Sequence, residues 1–135
     1  MGEPVDNLVI AATRSSPAIE FDAARRWLRL SGESYPENAA AFYAPVFAWL
    51  KAFLAELDAT ATVRVDLEIL YLNSSSTKVM LNFLDLLDQA AQEGRAIVVN
   101  WRYDPDNEAA QECGQDFSEE LQALTFNLAT TDQEP

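Results

Sequence analysis

Between residues 62 and 72 apolar and polar positions alternate. Val63, Val65, Leu67, Ile69 and Tyr71 fall on one side of an extended backbone, and Arg64, Asp66 and Glu68 on the other. A period of two predicts a strand with one face in a core and one in solvent. Leu70 and Leu72 depart from the pattern, so this strand is expected to end buried on both faces. Beyond it the period becomes helical. Val79, Met80, Phe83, Leu84, Leu87 and Ala91 share one stripe, predicting a helix over about 75–93 that Gly94 ends.

The other elements follow from the same reasoning. LVIAAT (8–13), AIEFD (18–22) and RWLRL (26–30) read as strands, the last two as a hairpin across a short polar turn. SGESYPEN (31–38) carries turn chemistry, with Ser34 two residues ahead of Pro36 at a helix start. Phe42, Val46, Trp49, Leu50, Phe53, Leu54 and Leu57 then recur at helical spacing. Pro45 lies inside that helix with no N–H for the carbonyl of Ala41, which predicts a kink or a two-part helix. AIVVNWRY (96–103) reads as a strand, 104–121 as a third helix, LTFNLA (124–129) as a closing strand, and TTDQEP (130–135) as a frayed end. The order is β-β-β-α-β-α-β-α-β, an α/β fold with a mixed sheet and helices packed on it.

Composition narrows the function. With 135 residues the chain fits one domain spanning 1–135, its core within about 7–129. The net charge of −13 argues against a nucleic-acid partner or an anionic membrane surface, both of which require clustered Lys and Arg. MGEPVDNLVIAAT lacks the basic start and apolar stretch of a targeting segment. No apolar run reaches the ~20 residues needed to span a bilayer. The single Cys113 forms no internal disulfide, which points to a cytoplasmic protein. With one Cys and no His, the usual zinc and iron ligand sets are missing, and no cofactor is expected. His-based acid–base chemistry and Ser-His-Asp or Cys-His catalysis are excluded as well.

One stretch asks for more. LNSSSTKVM (72–80) lines up Ser74, Ser75, Ser76 and Thr77 where a strand becomes a helix, with Lys78 directly behind. The first N–H groups of a helix are unpaired and the dipole there is positive, so a phosphate would be favoured at this corner. One hydroxyl acting as N-cap, with the others solvated, accounts for the residues more plainly. Physics alone leaves both readings open.

SYPEN (34–38), LYLNSSS (70–76) and VNWRYDPDNE (99–108), preceded by TRSSPAIEFD (13–22), together resemble the SiaC family of bacterial regulatory phosphoproteins. The likeness covers nearly the whole chain. It implies a STAS-like fold, similar to anti-sigma-factor antagonists, and reversible phosphorylation of the Ser or Thr directly after the Leu-Asn of the corner. That position is Ser74 here, with Ser75 the runner-up. The resemblance further implies a dedicated kinase, a PP2C-like phosphatase, and a GGDEF-type diguanylate cyclase activated by the unphosphorylated form. Cyclic-di-GMP signalling and biofilm formation follow from that partner.

On this reading Ser75 or Ser76 caps the helix and leaves Ser74 free. The partner surface comprises Asn73, Ser75, Ser76, Thr77 and Lys78, joined by Tyr35 and Asn38 of SYPEN. Trp27, Trp49 and Trp101 are assigned to the core or its edge, Cys113 to an inert helix position, and the acidic run of the third helix to a solvated face. Two other functions bear on the same stretch. A hydrolase using Ser74 or Ser75 with Lys78 as base lacks an oxyanion-hole glycine after the serines. A STAS-like antagonist of an anti-sigma-type kinase would show the same phosphorylation and differ only in its partner.

Overall fold

The computed structural model describes residues 6–131. Its elements are β1 (Leu8–Ile10), β2 (Ala18–Asp22), β3 (Trp27–Ser34), α1 (Ala39–Glu56), β4 (Thr62–Leu72), α2 (Ser74–Gln92), β5 (Ala96–Tyr103), α3 (Glu108–Glu120) and β6 (Thr125–Thr130). The strands pair in chain order into one mixed sheet. β2 runs antiparallel to both β1 and β3, and β3 to β6 are mutually parallel.

Right-handed crossovers that always step in the same direction put each connecting helix on the same face. The aromatic contacts agree. Phe21 of β2 meets Trp49 of α1 at 5.0 Å and Phe83 of α2 at 6.1 Å, and Trp101 of β5 meets Phe117 of α3 at 5.4 Å. The register sets one apolar row across the sheet beneath these helices: Phe21, Leu28, Val65, Val99 and Phe126. One position away runs a polar row on the uncovered face: Glu20, Arg29, Asp66, Asn100 and Asn127. Asp66 is nearly buried even there. It accepts from Trp27 Nε1 at 2.7 Å, Arg64 Nε at 2.9 Å and Asn100 Nδ2 at 2.9 Å. Trp27 therefore stands on the open face, whereas Trp49 and Trp101 belong to the core.

Several boundaries differ from expectation. β1 stops at Ile10, because Thr13 and Ser16 close a turn: Thr13 N donates to Ser16 O and Thr13 Oγ1 accepts from Ser16 N. β3 continues to Ser34, so SGES is strand. Gly32 at φ +123° and a register shift between Gly32 and Glu33 carry it past the expected turn. α1 begins only at Ala39, with Asn38 as N-cap, and Tyr35, Pro36 and Glu37 precede it. It is one continuous helix. Pro45 and Ala41 both lie on its exposed side, where water can serve the carbonyl that Pro45 cannot. By length and composition α1 is apolar enough to cross a membrane, yet it buries Tyr43, Val46, Trp49, Leu50 and Phe53 in the core.

At the other end of the molecule, α3 begins at Glu108 and not at 104. Asp104 Oδ1 accepts from Asp106 N in a turn, and Asn107 caps the helix. β6 runs to Thr130 and Thr131 N donates to Tyr103 O, which corrects the frayed end at those two positions; 132–135 lie outside the described residues. The end of β4 is not buried: Leu70 is 50% and Tyr71 53% exposed. The last registered pair between β4 and β5 is Leu67 with Trp101, so the final turn of β4 overhangs its neighbour.

Candidate functional site

The corner is built on Asn73. Its backbone is extended (φ −78°, ψ 176°), its Oδ1 accepts from Ser76 N at 2.9 Å, and its carbonyl accepts from Thr77 N at 2.8 Å. Thr77 Oγ1 donates to the same carbonyl at 2.9 Å. Asn73 is thus the N-cap, and the helix starts at Ser74. Neither Ser75 nor Ser76 does the capping, because Asn is as good a cap as Ser and comes first in the chain.

The four hydroxyls divide sharply. Ser74 and Ser75 are exposed, Thr77 is half-buried, and Ser76 is fully buried. Ser34 Oγ donates to Ser76 Oγ at 2.8 Å and lies 2.7 Å from the Tyr43 hydroxyl. Since the one proton of Ser34 points at Ser76, Tyr43 supplies the other bond, giving a buried chain Tyr43 to Ser34 to Ser76. Burial raises the Tyr43 pKa against the opposing effect of the Ser34 hydrogen bond, so the phenol stays protonated as a donor. Asn73 N also donates to Ser34 O at 3.1 Å. The corner is therefore fastened to the end of β3 twice, and Ser76, expected on the partner surface, belongs to the interior.

An added phosphate would meet a prepared environment at Ser74. The N–H groups of the first helical positions have no intrahelical acceptor, and the dipole is positive. Lys78 is exposed and follows Ser74 by four residues, which puts both on one helix face. Of the SYPEN residues, Ser34 anchors the corner and Tyr35 reaches its neighbourhood. The Tyr35 N–H donates to Ser15 O, and its ring meets the edge of Tyr71 at 5.9 Å. The side chain of Asn38 is engaged within its own helix start, where it accepts from Ala41 N as the cap of α1.

Sequence reasoning passed over Tyr43, read Ser34 only as turn chemistry before a helix, and expected Leu70 and Tyr71 to be buried. Ser34 keeps the inward parity of Leu28 and Leu30 and is buried like them, but a serine inside an expected turn gives no apolar signal that would mark it as interior. Cys113 is half-buried on α3, and burial followed by the charge of Asp116 pushes its thiol up to about 11. It is a neutral side chain. No cluster of three or more His, Cys, Asp or Glu able to hold a metal occurs among the described residues.

The model for SiaC family regulatory phosphoproteins matches residues 10–131. The chain belongs to the SiaC family. It is 40% identical to an uncharacterized protein of Pseudomonas aeruginosa (strain UCBPP-PA14) over 129 residues, 96% of this chain and all of the relative. It is also similar to apo-SiaC from Pseudomonas aeruginosa, with a TM-score of 0.85 and 38% identity over 92% of this chain and 98% of that one. The same values of 0.85 and 38%, over 91% and 98%, relate it to a complex in which SiaC is the activator of the diguanylate cyclase SiaD. As a member of the SiaC family the chain is a regulatory protein with a mixed α/β fold.

Proposed function

We propose that this protein is a non-enzymatic phospho-switch in the cytoplasm. A cognate kinase phosphorylates Ser74, a PP2C-like phosphatase resets it, and the unphosphorylated form binds and activates a GGDEF-type diguanylate cyclase. Its output is the cyclic-di-GMP level, and through it biofilm formation. The observation carrying this reading is the division of labour at the corner. Asn73 performs the capping and Ser76 the anchoring, which leaves the exposed Ser74 hydroxyl without a structural duty. The complex of SiaC with SiaD supports the choice of partner. A hydroxyl where a strand meets a helix fits the STAS-like resemblance, and phosphorylation would add about −1.5 to −2 charges to a surface that a partner must desolvate.

The test is calorimetric titration of wild-type, Ser74→Ala and Ser74→Asp proteins against the cognate cyclase. The alanine variant should resist the kinase and bind like the unmodified protein. The aspartate variant should bind weakly, imitating the phosphate incompletely because it carries less charge and fewer acceptor oxygens. Equal affinities for all three would show the corner to be a helix start and not a switch. Capture of an anti-sigma-type kinase in place of the cyclase would shift the function to the antagonist reading.

A further inference from the structure

Where β4 overhangs β5, α3 runs alongside, and Asn107 Nδ2 ties the two by donating to Leu70 O at 3.1 Å. Between them lies a groove with a cavity volume of about 110 Å³, lined by Ile69, Leu70, Leu72, Ala109, Ala110 and Cys113 among others. No charged side chain lines it. Leu70 and Tyr71, two of the four large apolar side chains that the described residues leave exposed, are part of its lining. Its thiol wall is neutral, because burial keeps Cys113 protonated. Leu72 lines the groove and Ser74 follows two residues later, so the corner begins within two residues of the groove wall.

We infer that this groove receives an aliphatic anchor side chain from the partner cyclase, with Ser74 at its lip. The inference rests on the phospho-switch reading for the identity of the partner. Size supports the occupant: a cavity of about 150 Å³ admits a benzene-sized group, so this smaller one suits a single branched aliphatic side chain. The surroundings indicate what flanks the anchor. The segment 104–121 carries seven acidic residues and no basic one, which favours a cyclase segment with basic residues beside its apolar knob. A phosphate on Ser74 would add to that negative field, but it would also lose its hydration when the anchor seats. Desolvating a dianion costs more than exposed, salt-screened ion pairs return, so the modified form is excluded. The groove thus accounts for why the unmodified state is the one that binds.

Two substitutions and a footprint test this. Ala109→Phe fills the groove from an exposed helix position, and Leu70→Ala removes one wall. Each should weaken cyclase binding by roughly tenfold, the loss typical of a buried anchor, with the melting temperature held. Cys113 is the only thiol in the chain; its raised pKa makes iodoacetamide alkylation slow, so the rate is followed at alkaline pH, where the small thiolate fraction reports coverage of the groove. Bound cyclase should slow that alkylation by about an order of magnitude, as expected for a covered interface residue. If both variants bind like wild type and Cys113 stays reactive in the complex while Ser74→Asp fails to bind, the groove is overturned and the switch stands. If the groove variants bind weakly and Ser74→Asp binds normally, the groove stands and the switch falls. Protection of Cys113 that grows with protein concentration in the absence of cyclase would assign the groove to a second copy and overturn the inference.

Discussion

Ser34 Oγ donates to Ser76 Oγ at 2.8 Å across the interior, joining the last residue of β3 to the first turn of α2. Both residues are fully buried. The same serine accepts the amide of Asn73 through its carbonyl, so the N-cap and the third helical residue are held by one residue of a neighbouring strand. The geometry around Ser74 is set from inside the protein, and its own side chain takes no part in that.

Ser34→Ala should therefore be costly for so small a change. It leaves the Ser76 and Tyr43 hydroxyls buried with a partner missing, and a lost buried hydrogen bond of this kind costs about 1–3 kcal/mol. Urea unfolding should show the drop, and amide exchange at residues 74–77 should accelerate more than elsewhere. A loss below roughly 0.5 kcal/mol, as for a change at an ordinary surface site, would mean that the chain of hydroxyls does not fasten the corner.

The cap and the candidate phosphosite can be separated. Asn73→Ala removes the acceptor of Ser76 N and should cost about 1 kcal/mol. Ser74→Ala touches no capping bond and should lie within about 0.5 kcal/mol of wild type. Thermal melts of the two variants side by side decide it. Equal destabilisation would return the capping role to Ser74.

Gly114 marks the closest approach of α3 to the sheet. A Cβ there would lie 2.5 Å from Trp101 Cδ1 and 2.6 Å from Leu128 Cδ2. Trp101 cannot swing away easily, since it is buried and its Nε1 donates to Ala110 O at 2.9 Å. Gly114→Ala gains up to about 1 kcal/mol of helix propensity but must overpack the core, which costs about 1–3 kcal/mol. Net destabilisation in a chemical melt is the expected result. A stabilised variant would show that α3 can lift away from the sheet freely.

The sequence made the sheet legible because burial on one face forces alternation, as in Val63, Val65 and Leu67, and because α2 keeps its apolar stripe from Met80 to Leu87. Boundaries were less legible where side chains compete with the backbone. Asn38, Asn73 and Asn107 each cap a helix, and each helix begins one residue later. The hydroxyl run drew attention to its serines, although the asparagine before it holds the cap. Leu70 and Tyr71 looked buried because period alone cannot reveal where a neighbouring strand stops pairing. Asp88 was hidden for a similar reason: its backbone partners lie more than thirty residues further along the chain.

That carboxylate predicts a pH dependence. Asp88 is buried on α2 and accepts from the N–H groups of Leu124, Ala123 and Gln122 and from the Gln92 amide. Desolvation acts to raise its pKa, but the donors outweigh it and hold the carboxyl below the usual Asp range. A depressed folded pKa means that the stabilisation is complete above the unfolded value of about 4 and is lost as pH falls through the folded value. Asp88→Asn should cost about 2 kcal/mol at pH 7, typical of hydrogen bonds to a charged group, and the gap from wild type should narrow below about pH 4. Urea melts at pH 7, 5 and 3 follow it. A gap that stays constant with pH would show that the loop from Leu121 to Leu124 is held by shape and not by charge.

Lys78 supplies the last prediction, because its place one turn beyond Ser74 gives the phosphate a specific neighbour. A phosphoserine second pKa lies near 6, and both the helix N-terminus and an ammonium at i+4 favour the dianion, so it should fall below that value here. Lys78→Glu replaces attraction by repulsion on an exposed face and should raise the phosphate pKa by roughly half a unit relative to the lysine protein. Salt should shrink the difference, since a pair in solvent is screened. Phosphorus NMR titration of the two phosphorylated proteins, at low and at high ionic strength, measures this directly. The two titration curves should separate at low salt and draw together at high salt. Superimposable curves at low salt would mean that Lys78 points away from the phosphate, and the helix terminus alone would then account for whatever shift remains.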